Sequence, residues 1–195
     1  MIEFAIVLPV LLTLILYGIE LANYVIVRQQ VSQLAQQVAD NASRIGVQEV
    51  LRNRPITEGQ INDLFVGADL QAGNLNLSNN GRVILSSLVV NSDGGQWIQW
   101  QRCYGRFAHA STFGNEGDGA TGKTLTGMGP TGSQVQAMNK VPLVFTEIAL
   151  SYKPVISSRW APSSIISEYA SFYVRDDRDT SAIQNSNDDP VARCR

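Results

Sequence analysis

The chain has 195 residues, 15 of them Lys or Arg and 17 Asp or Glu, with a formal net charge of −2 at neutral pH. No basic stripe runs through it, so the sequence does not point to nucleic acid as a partner. Its one histidine, His109, has no nucleophile motif around it. The sequence therefore predicts a protein that is not an enzyme, with no catalytic residues, cofactor or metal site.

The N-terminal segment is apolar for long enough to cross a membrane. Between Phe4 and Val27 the only charged residue is Glu20. Because an α-helix rises about 1.5 Å per residue, about 20 residues span the hydrocarbon core of ~30 Å. No basic residue precedes the apolar run, and no small-residue cleavage site follows it, so a cleaved secretory signal is disfavoured. We predict a permanent anchor at about residues 4–27.

Several positions in this anchor are candidates for a role in membrane assembly. Glu3 is a carboxylate at the edge of the hydrocarbon, and it either pairs with a free α-amine or stays solvated outside the bilayer. Pro9 should kink the helix or loosen it locally. Gly18 and Ala22 form a small-xxx-small pair that permits close approach of another helix. Glu20 lies beside that pair and is expected to face a protein partner.

The basic residues leave two orientations open. Lys and Arg normally flank the cytoplasmic end of a span, yet here the first ones, Arg28 and Arg44, follow it. Taken literally, this pattern puts the C-terminal domain in the cytoplasm. The alternative is that a basic leader preceded Met1 and was removed, which would place the domain on the oxidising side of the membrane. The two cysteines of the chain favour the second orientation.

The helical pattern continues past the anchor to about residue 52 as an amphipathic stripe, and Pro55 is a firm stop. Apolar residues recur at spacings of three and four, and glutamines fill the opposite face. The apolar positions are Tyr24, Val27, Val31, Leu34, Val38 and Ile45. The stripe packs either against the chain's own globular domain or against sister helices in a bundle.

Residues 55–195 are predicted to form one β-rich domain. The capping box Thr57-Glu58-Gly59-Gln60 predicts a short helix through Phe65. Strand candidates follow at 82–90, 96–102, 141–152 and 165–175. The third partly alternates, as in a sheet with one covered face. The predicted fold class is α+β: a long N-terminal helix over 1–54, transmembrane and then amphipathic, packed on a mainly antiparallel sheet.

A Gly/Thr/Ser-rich stretch at 111–139 is predicted to be a surface loop. Within it, residues 117–124 read GDGATGKT and fit the P-loop pattern G-x-x-x-x-G-K-[ST]. A P-loop needs a buried strand before it and a helix N-terminus after it. Here the lead-in is no strand, and Gly127 and Pro130 forbid a helix in the lead-out. We therefore reject nucleotide binding by Lys123.

The two cysteines, Cys103 and Cys194, lie far apart in the sequence. In an envelope-exposed domain they suggest one disulfide, and two unrelated thiols are the alternative. The bond would pin the acidic tail, residues 176–195, to the sheet. Without the bond the tail is expected to be disordered and solvated, because it has five aspartates and almost no apolar residues. Its spacing matches no EF-hand loop.

Three runs in the N-terminal segment resemble the opening of TadE-like proteins, which are pilin-like minor subunits of the tight adherence (Tad, or Flp) type IV pilus system. They are Glu3-Phe4-Ala5-Ile6-Val7-Leu8-Pro9-Val10, Gly18-Ile19-Glu20-Leu21 and Arg28-Gln29-Gln30-Val31. Farther on, the run Ile148-Ala149-Leu150-Ser151-Tyr152-Lys153-Pro154, followed by the strand ending at Val174-Arg175, is similar to the family's late strands.

The resemblance implies a structural subunit rather than an enzyme. It implies a basic leader removed by a prepilin peptidase, a periplasmic domain, an inner-membrane anchor, and other pilin-like subunits and the pilus assembly platform as partners. Glu3 matches the family glutamate that aids subunit docking. The resemblance thus predicts a minor pilin or pseudopilin that enters, primes or caps an adhesive pilus. The competing hypothesis is a membrane-tethered binding module whose exposed β domain recognises a partner.

Overall fold

The structure, a computed structural model, describes residues 2–45, 55–175, 182–185 and 187–194. The described residues form three α-helices, one 3₁₀ turn and four β-strands. In chain order they are α1 (Ile2–Ser43), α2 (Glu58–Ala72), the 3₁₀ turn Gly73–Leu75, α3 (Leu77–Asn80), β1 (Gly81–Val90), β2 (Gln96–Tyr104), β3 (Leu143–Ser151) and β4 (Ile165–Tyr173). The predicted α+β class is confirmed, with a long N-terminal helix and an antiparallel sheet both present.

The helix α1 has 42 residues and continues through Pro9, which corresponds to a length of about 63 Å at the α-helical rise. It ends earlier than the predicted position near residue 52. In its last turn the Arg44 amide donates to Asn41 O at 3.0 Å, and Ser43 Oγ donates to Asp40 O at 2.7 Å. Such tight three-residue bonds and side-chain competition for the backbone are typical of a helix end. Residues 46–54, which the prediction included, lie outside the described residues.

The four strands form one antiparallel sheet in the order β2-β1-β3-β4. β3 is therefore central, and β4 lies at one edge. Gly81 of β1 pairs with Leu150 of β3, and Ser151 of β3 pairs with Ile165 of β4. The predicted strands agree with the observed ones to within two residues at each end. The capping box at Thr57 is present, but α2 continues seven residues beyond Phe65, to Ala72.

The main core lies between α1, α2 and one face of the sheet. The upper half of α1 contributes six fully buried apolar side chains to it. They are Val31, Leu34, Ala35, Val38, Ala39 and Ala42. Of the two partners left open for the amphipathic stripe, the chain's own sheet is the one observed, with α1 lying across β3 and β4.

The second face of the sheet is covered as well, which differs from the one-sided sheet that the alternation in β3 predicted. A smaller cluster packs Leu143 and Phe145 of β3 against Met128 and Ala137 of the 111–139 loop. Eight of the nine residues of β3 are consequently buried. Met128 and Ala137 are at most 5% exposed. The few apolar residues of the loop are spaced too irregularly for the sequence to predict that the loop covers the sheet.

Candidate site of helix packing and membrane anchoring

The lower half of α1, Phe4–Ile19, extends away from the β domain. Its described side chains expose large apolar groups, from Phe4 at 70% exposed to Ile19 at 47% exposed. By length and composition α1 is able to cross a membrane. An apolar helix without tertiary cover is stable only where lipid or other apolar helices surround it. This half is therefore the part of the molecule that is built for a non-aqueous environment.

The small-residue pair of this anchor lies on the side of α1 away from the domain. A Cβ added at Gly18 would meet nothing within 4 Å. Ala22 is exposed, and so are Leu21 and Val25 on the same stripe. The structure therefore leaves this stripe open to a neighbouring helix, while the predicted contact itself stays a prediction. Glu3 lies in the first turn of α1, and its side chain is outside the described residues.

Glu20 is the point where α1 meets the domain, and its side chain has no exposed surface. Its carboxylate accepts a hydrogen bond from the Tyr152 hydroxyl at 2.6 Å and one from the Ile156 backbone amide at 2.7 Å. Asn23 Nδ2 donates to the same hydroxyl at 2.7 Å. A buried carboxylate needs such donors, because it would otherwise lose its hydration without replacement. We call Glu20, Asn23, Tyr152 and Ile156 the junction.

The contacts of the junction show which groups bind the Glu20 carboxylate. We expected Glu20 to face a protein partner, and in the structure its partners are groups of the same chain. Burial, and then the hydrogen bond to Glu20, raise the pKa of Tyr152 above its usual value. The tyrosine therefore keeps its proton throughout the physiological range and remains a donor. The ring of Tyr24 packs edge-on against that of Tyr152 with centroids 5.1 Å apart.

A second polar contact ties α1 to β4 above the junction. Arg28 Nε and Glu168 Oε1 are 2.6 Å apart. The arginine is largely exposed, so this ion pair contributes little to stability, on the order of 0–1 kcal/mol. It fixes the rotation of the helix on the sheet together with the apolar contacts of the stripe. The sequence marked Arg28 as a topology signal and as part of the TadE-like opening, but nothing in it identifies Glu168 as its partner.

Cys103 of β2 and Cys194 of the tail form a disulfide bond. Next to it the Cys103 amide donates to Ala192 O at 2.7 Å. Upstream, Gln184 pairs with Thr57 in a short parallel bridge, and its amide donates to Ile56 O at 2.8 Å. The bond attaches the tail to the sheet, and the described residues 182–185 and 187–194 nevertheless stay largely exposed to solvent. Backbone hydrogen bonds and one covalent bond hold a segment whose composition is too polar to pack by itself.

A buried ion pair lies close to this disulfide. Arg102 donates to both carboxylate oxygens of Glu58, with an Nη2–Oε1 distance of 2.6 Å. Its Nη1 also reaches Glu116 of the loop at 3.1 Å. Glu58 is in the first turn of α2, where the helix dipole favours negative charge. The sequence marks Glu58 through the capping box, but nothing in it identifies Arg102 as its partner.

The P-loop-like run 117–124 has no strand before it and no helix after it in the described structure. Its polar backbone groups are bonded within the domain instead. Asn91 Nδ2 donates to the carbonyl oxygens of Gly119 and Gly122, and the Gly122 amide donates to Asp93 Oδ2 at 2.7 Å. An amide that faces a carboxylate is not free to bind phosphate. The run is a folded turn of the loop.

A third buried carboxylate, Glu147, lies on β3. Ser111 Oγ donates to it, and so does the Thr112 amide at 2.9 Å. Burial raises its pKa above the usual value, although the two hydrogen bonds oppose the rise. His109 stacks on Phe107 nearby. Within the described residues no three His, Cys, Asp or Glu side chains are grouped as metal ligands.

Comparison with protein families gives a match at the N-terminus. Residues 1–46 match the model of the family described as TadE-like protein. The resemblance stated from the sequence is therefore confirmed over α1, and it associates the chain with the Tad pilus system. The match does not extend into the β domain. No curated protein and no solved structure is significantly similar to this chain.

Proposed function

From this match over residues 1–46, we propose that the chain is a pilin-like structural subunit, a minor pilin or pseudopilin of a Tad-type pilus. The observation that carries the proposal is the division of α1. One continuous helix joins an apolar half without tertiary cover, Phe4–Ile19, to a half built into the β domain. Such a subunit can enter a helical assembly through its free half while it carries a folded domain outside the bundle.

The exposed stripe Gly18, Leu21, Ala22 and Val25 supports lateral packing. Small residues four apart let two helix backbones approach closely, and flanking apolar side chains add van der Waals contact. We propose that this stripe, with Pro9 below it, contacts other pilin-like subunits or the assembly platform. Glu3 is proposed as the docking carboxylate, which pairs with a cation in the assembled state.

We propose that the anchor lies in the bacterial inner membrane and that the β domain is periplasmic, then extracellular once a pilus forms. The disulfide between Cys103 and Cys194 supports this orientation, because such bonds persist in oxidising compartments. Within the predicted anchor, residues 4–27, only the part before Glu20 can contact lipid on all sides, because α1 contacts the β domain from Glu20 onward.

The decisive experiment replaces the free half of the anchor and leaves the junction intact. Residues 4–19 are exchanged for an unrelated apolar helix of equal length, and Glu20 and all later residues are kept. We expect membrane insertion and a folded domain but no pilus, as seen by electron microscopy of cells complemented with the variant. Normal pili would contradict the packing role.

A point variant tests the docking carboxylate separately. Glu3→Ala should block assembly and leave insertion unchanged, because the removal of a charge makes the span more apolar. Pilus counts and membrane fractionation of the same cells measure the two effects. Normal assembly by the Ala variant would remove Glu3 from the mechanism.

The second candidate function is a tethered binding module. The edge strand β4 favours it, since the rings of Tyr169 and Tyr173 are 46% and 39% exposed on one side of that strand. Exposed aromatics on a sheet edge are typical of surfaces that bind a protein partner. The helix exchange separates the two hypotheses, because a module that is only tethered keeps its function with any apolar anchor of equal length.

A further inference from the structure

The connection between β3 and β4 is the part of the β domain nearest the free half of α1. Its Ile156 amide is 2.7 Å from the Glu20 carboxylate. Glu20 is the first buried side chain from the N-terminus among those described. Residues 153–160, which we call the interfacial loop, therefore lie beside the helix where its fully exposed apolar section ends.

The interfacial loop combines three kinds of exposed side chain. Val155 and Ile156 are 63% and 39% exposed. Lys153 and Arg159 are exposed, and Trp160 is partly exposed. Single exposed apolar residues are ordinary on a protein surface. Apolar, basic and tryptophan side chains together on one short loop are typical of a segment in the headgroup region, where each type meets its preferred neighbour.

The two sides of α1 set the height of this loop relative to a bilayer. On the outward side, exposed apolar residues continue to Ile26, and exposed glutamines begin at Gln29. On the domain side the loop reaches down to Glu20. Six residues separate Glu20 from Ile26, which is about 9 Å of helix. If the outward side is immersed to Ile26, the loop lies about 9 Å lower, within the depth that interfacial segments reach.

A higher position of the helix does not remove the contact. If the bilayer surface is instead level with Glu20, the loop rests on that surface. Only a still higher position would lift the loop clear, and that would leave an apolar section of the anchor, Leu16–Ile26, in water. Exposure of that section would cost about 25 cal/mol for each Å² of apolar surface. The favourable positions all bring the loop to the membrane.

We propose that the interfacial loop is a second membrane contact, which lies in the headgroup region of the bilayer that its own anchor crosses. Val155, Ile156 and Trp160 contact the boundary of the acyl chains, and Lys153 and Arg159 contact lipid phosphates. The inference rests on the proposed membrane anchoring of α1 and adds a property that pilus membership does not imply. Two contacts joined by the junction hold the β domain in one orientation, with the Gly18–Ala22 side of α1 directed along the membrane plane.

Tryptophan fluorescence of the full chain tests the proposal. The chain has three tryptophans, at 97, 100 and 160. The protein is reconstituted at one copy per nanodisc, in an equal mixture of phosphatidylcholine and phosphatidylglycerol. A fraction of the lipid carries a fluorescence quencher near its headgroup. We expect the lipid-borne quencher to reduce the emission of the wild type. Trp160→Phe should abolish most of that reduction, because the remaining tryptophans lie on β2.

Trp97→Phe is the matched control. Trp97 pairs with Val89 near the end of β1 that is opposite to the β3–β4 connection. A nine-residue strand is about 30 Å long, so Trp97 is remote from the proposed contact. This variant should keep the quenching of the wild type. Val155→Asp, which places a charge on the loop outside the junction, should reduce it.

The possible outcomes are distinct. If the chain inserts, as shown by flotation with vesicles of the same lipids, and Trp160 is not quenched, the loop proposal is wrong and anchoring stands. If the chain does not float with the vesicles, both the membrane anchoring of α1 and the loop proposal are wrong. If Trp160 is not quenched at one copy per disc and becomes buried only in discs that hold several copies, the loop is a subunit contact and the proposal is wrong. Quenching of Trp160 together with normal pili in the helix-exchange variant would support the loop and refute the packing role.

Discussion

The two halves of α1 share one secondary structure and have opposite surroundings. In the lower half the described large apolar side chains are exposed, and in the upper half, from Val31 to Ala42, the apolar stripe is buried against the sheet. The lower half is apolar on all sides, whereas the upper half has glutamines on its outer side. One helix therefore has an apolar half suited to a non-aqueous environment and an amphipathic half that packs on the sheet. The residue pattern of α1 changes where its surroundings change.

The exposed apolar surface of α1 ends at different residues on the two sides of the helix. On the domain side it ends at Glu20, and on the outward side it ends between Ile26 and Gln29. The section between these levels is apolar outward and bonded to the domain inward. Ala22 of the small pair lies within this section, and Gly18 lies just below it.

The largest effect is expected from loss of the disulfide, which belongs wholly to the β domain. Cys103→Ser with Cys194→Ser should lower the free energy of unfolding by about 4–5 kcal/mol in the chain-entropy model, because the cysteines are 91 residues apart. The tail should lose amide protection, and insertion of the anchor should not change. Urea unfolding in detergent and hydrogen exchange measure both effects.

The state of this disulfide in cells is a separate test of orientation. Thiol alkylation before and after reduction, followed by mass spectrometry, should find both cysteines blocked in protein taken from the native envelope. Two freely alkylated thiols would refute the bond and place the domain on the reducing side of the membrane.

A matched pair of leucines tests the two halves of α1 directly. Leu34 is buried against the sheet, and Leu14 is 65% exposed in the free half. Leu34→Ala should cost about 2–5 kcal/mol of domain stability through lost burial and a residual cavity. Leu14→Ala should leave domain stability within about 0.5 kcal/mol of the wild type, because it has no contact there to lose. Equal losses in urea unfolding would contradict the division.

The junction is tested by replacement of its carboxylate. Glu20→Gln should loosen the interfacial loop, because an amide group cannot accept hydrogen bonds at both ends, and two donors, Tyr152 and Ile156, point at this side chain. We expect faster hydrogen exchange at the Ile156 amide. Glu168→Gln is the control, since it weakens only the exposed pair with Arg28. Equal exchange in both variants would show that the junction does not hold the loop.

Glu147 gives a pH-dependent prediction confined to the β domain. Its pKa is raised by burial in the folded state, so the folded protein binds the proton more tightly than the unfolded chain does. Stability from this group is therefore present at low pH and is lost as pH rises through the folded pKa. Glu147→Gln should remove that component. The melting temperature of the variant relative to the wild type should rise from about pH 4 to about pH 8, and a constant difference would contradict the assignment.

The smallest effect is expected at Lys123. Lys123→Ala should change neither stability nor nucleotide binding measurably, because the amide of Gly122 beside it already donates to Asp93 and no helix N-terminus faces the run. Isothermal titration with ATP and magnesium checks this. Micromolar affinity in the wild type that the variant loses would show that the turn binds phosphate.

Local patterns predicted most of the fold. The capping box located the start of α2, alternation and turn residues located the strands, and the spacing of the stripe located the buried side of α1. Local patterns did not predict the contacts that attach two polar segments to the domain. The tail and the 111–139 loop have compositions typical of solvated segments and are largely exposed, but Gln184 and Met128 contact the domain at positions distant in sequence.

The sequence by itself determined the apolar anchor, the amphipathic continuation and the TadE-like opening, because hydrophobic period and short motifs are local properties. Only the tertiary structure decided which groups the charged side chains meet. Glu20 bonds to Tyr152, more than 130 residues later in the chain, and Arg102 bonds to Glu58 across the domain. Such pairs depend on how the strands are ordered and how the helix lies on them, and no spacing in the sequence encodes that. The position of the interfacial loop beside the anchor follows from the same long-range arrangement.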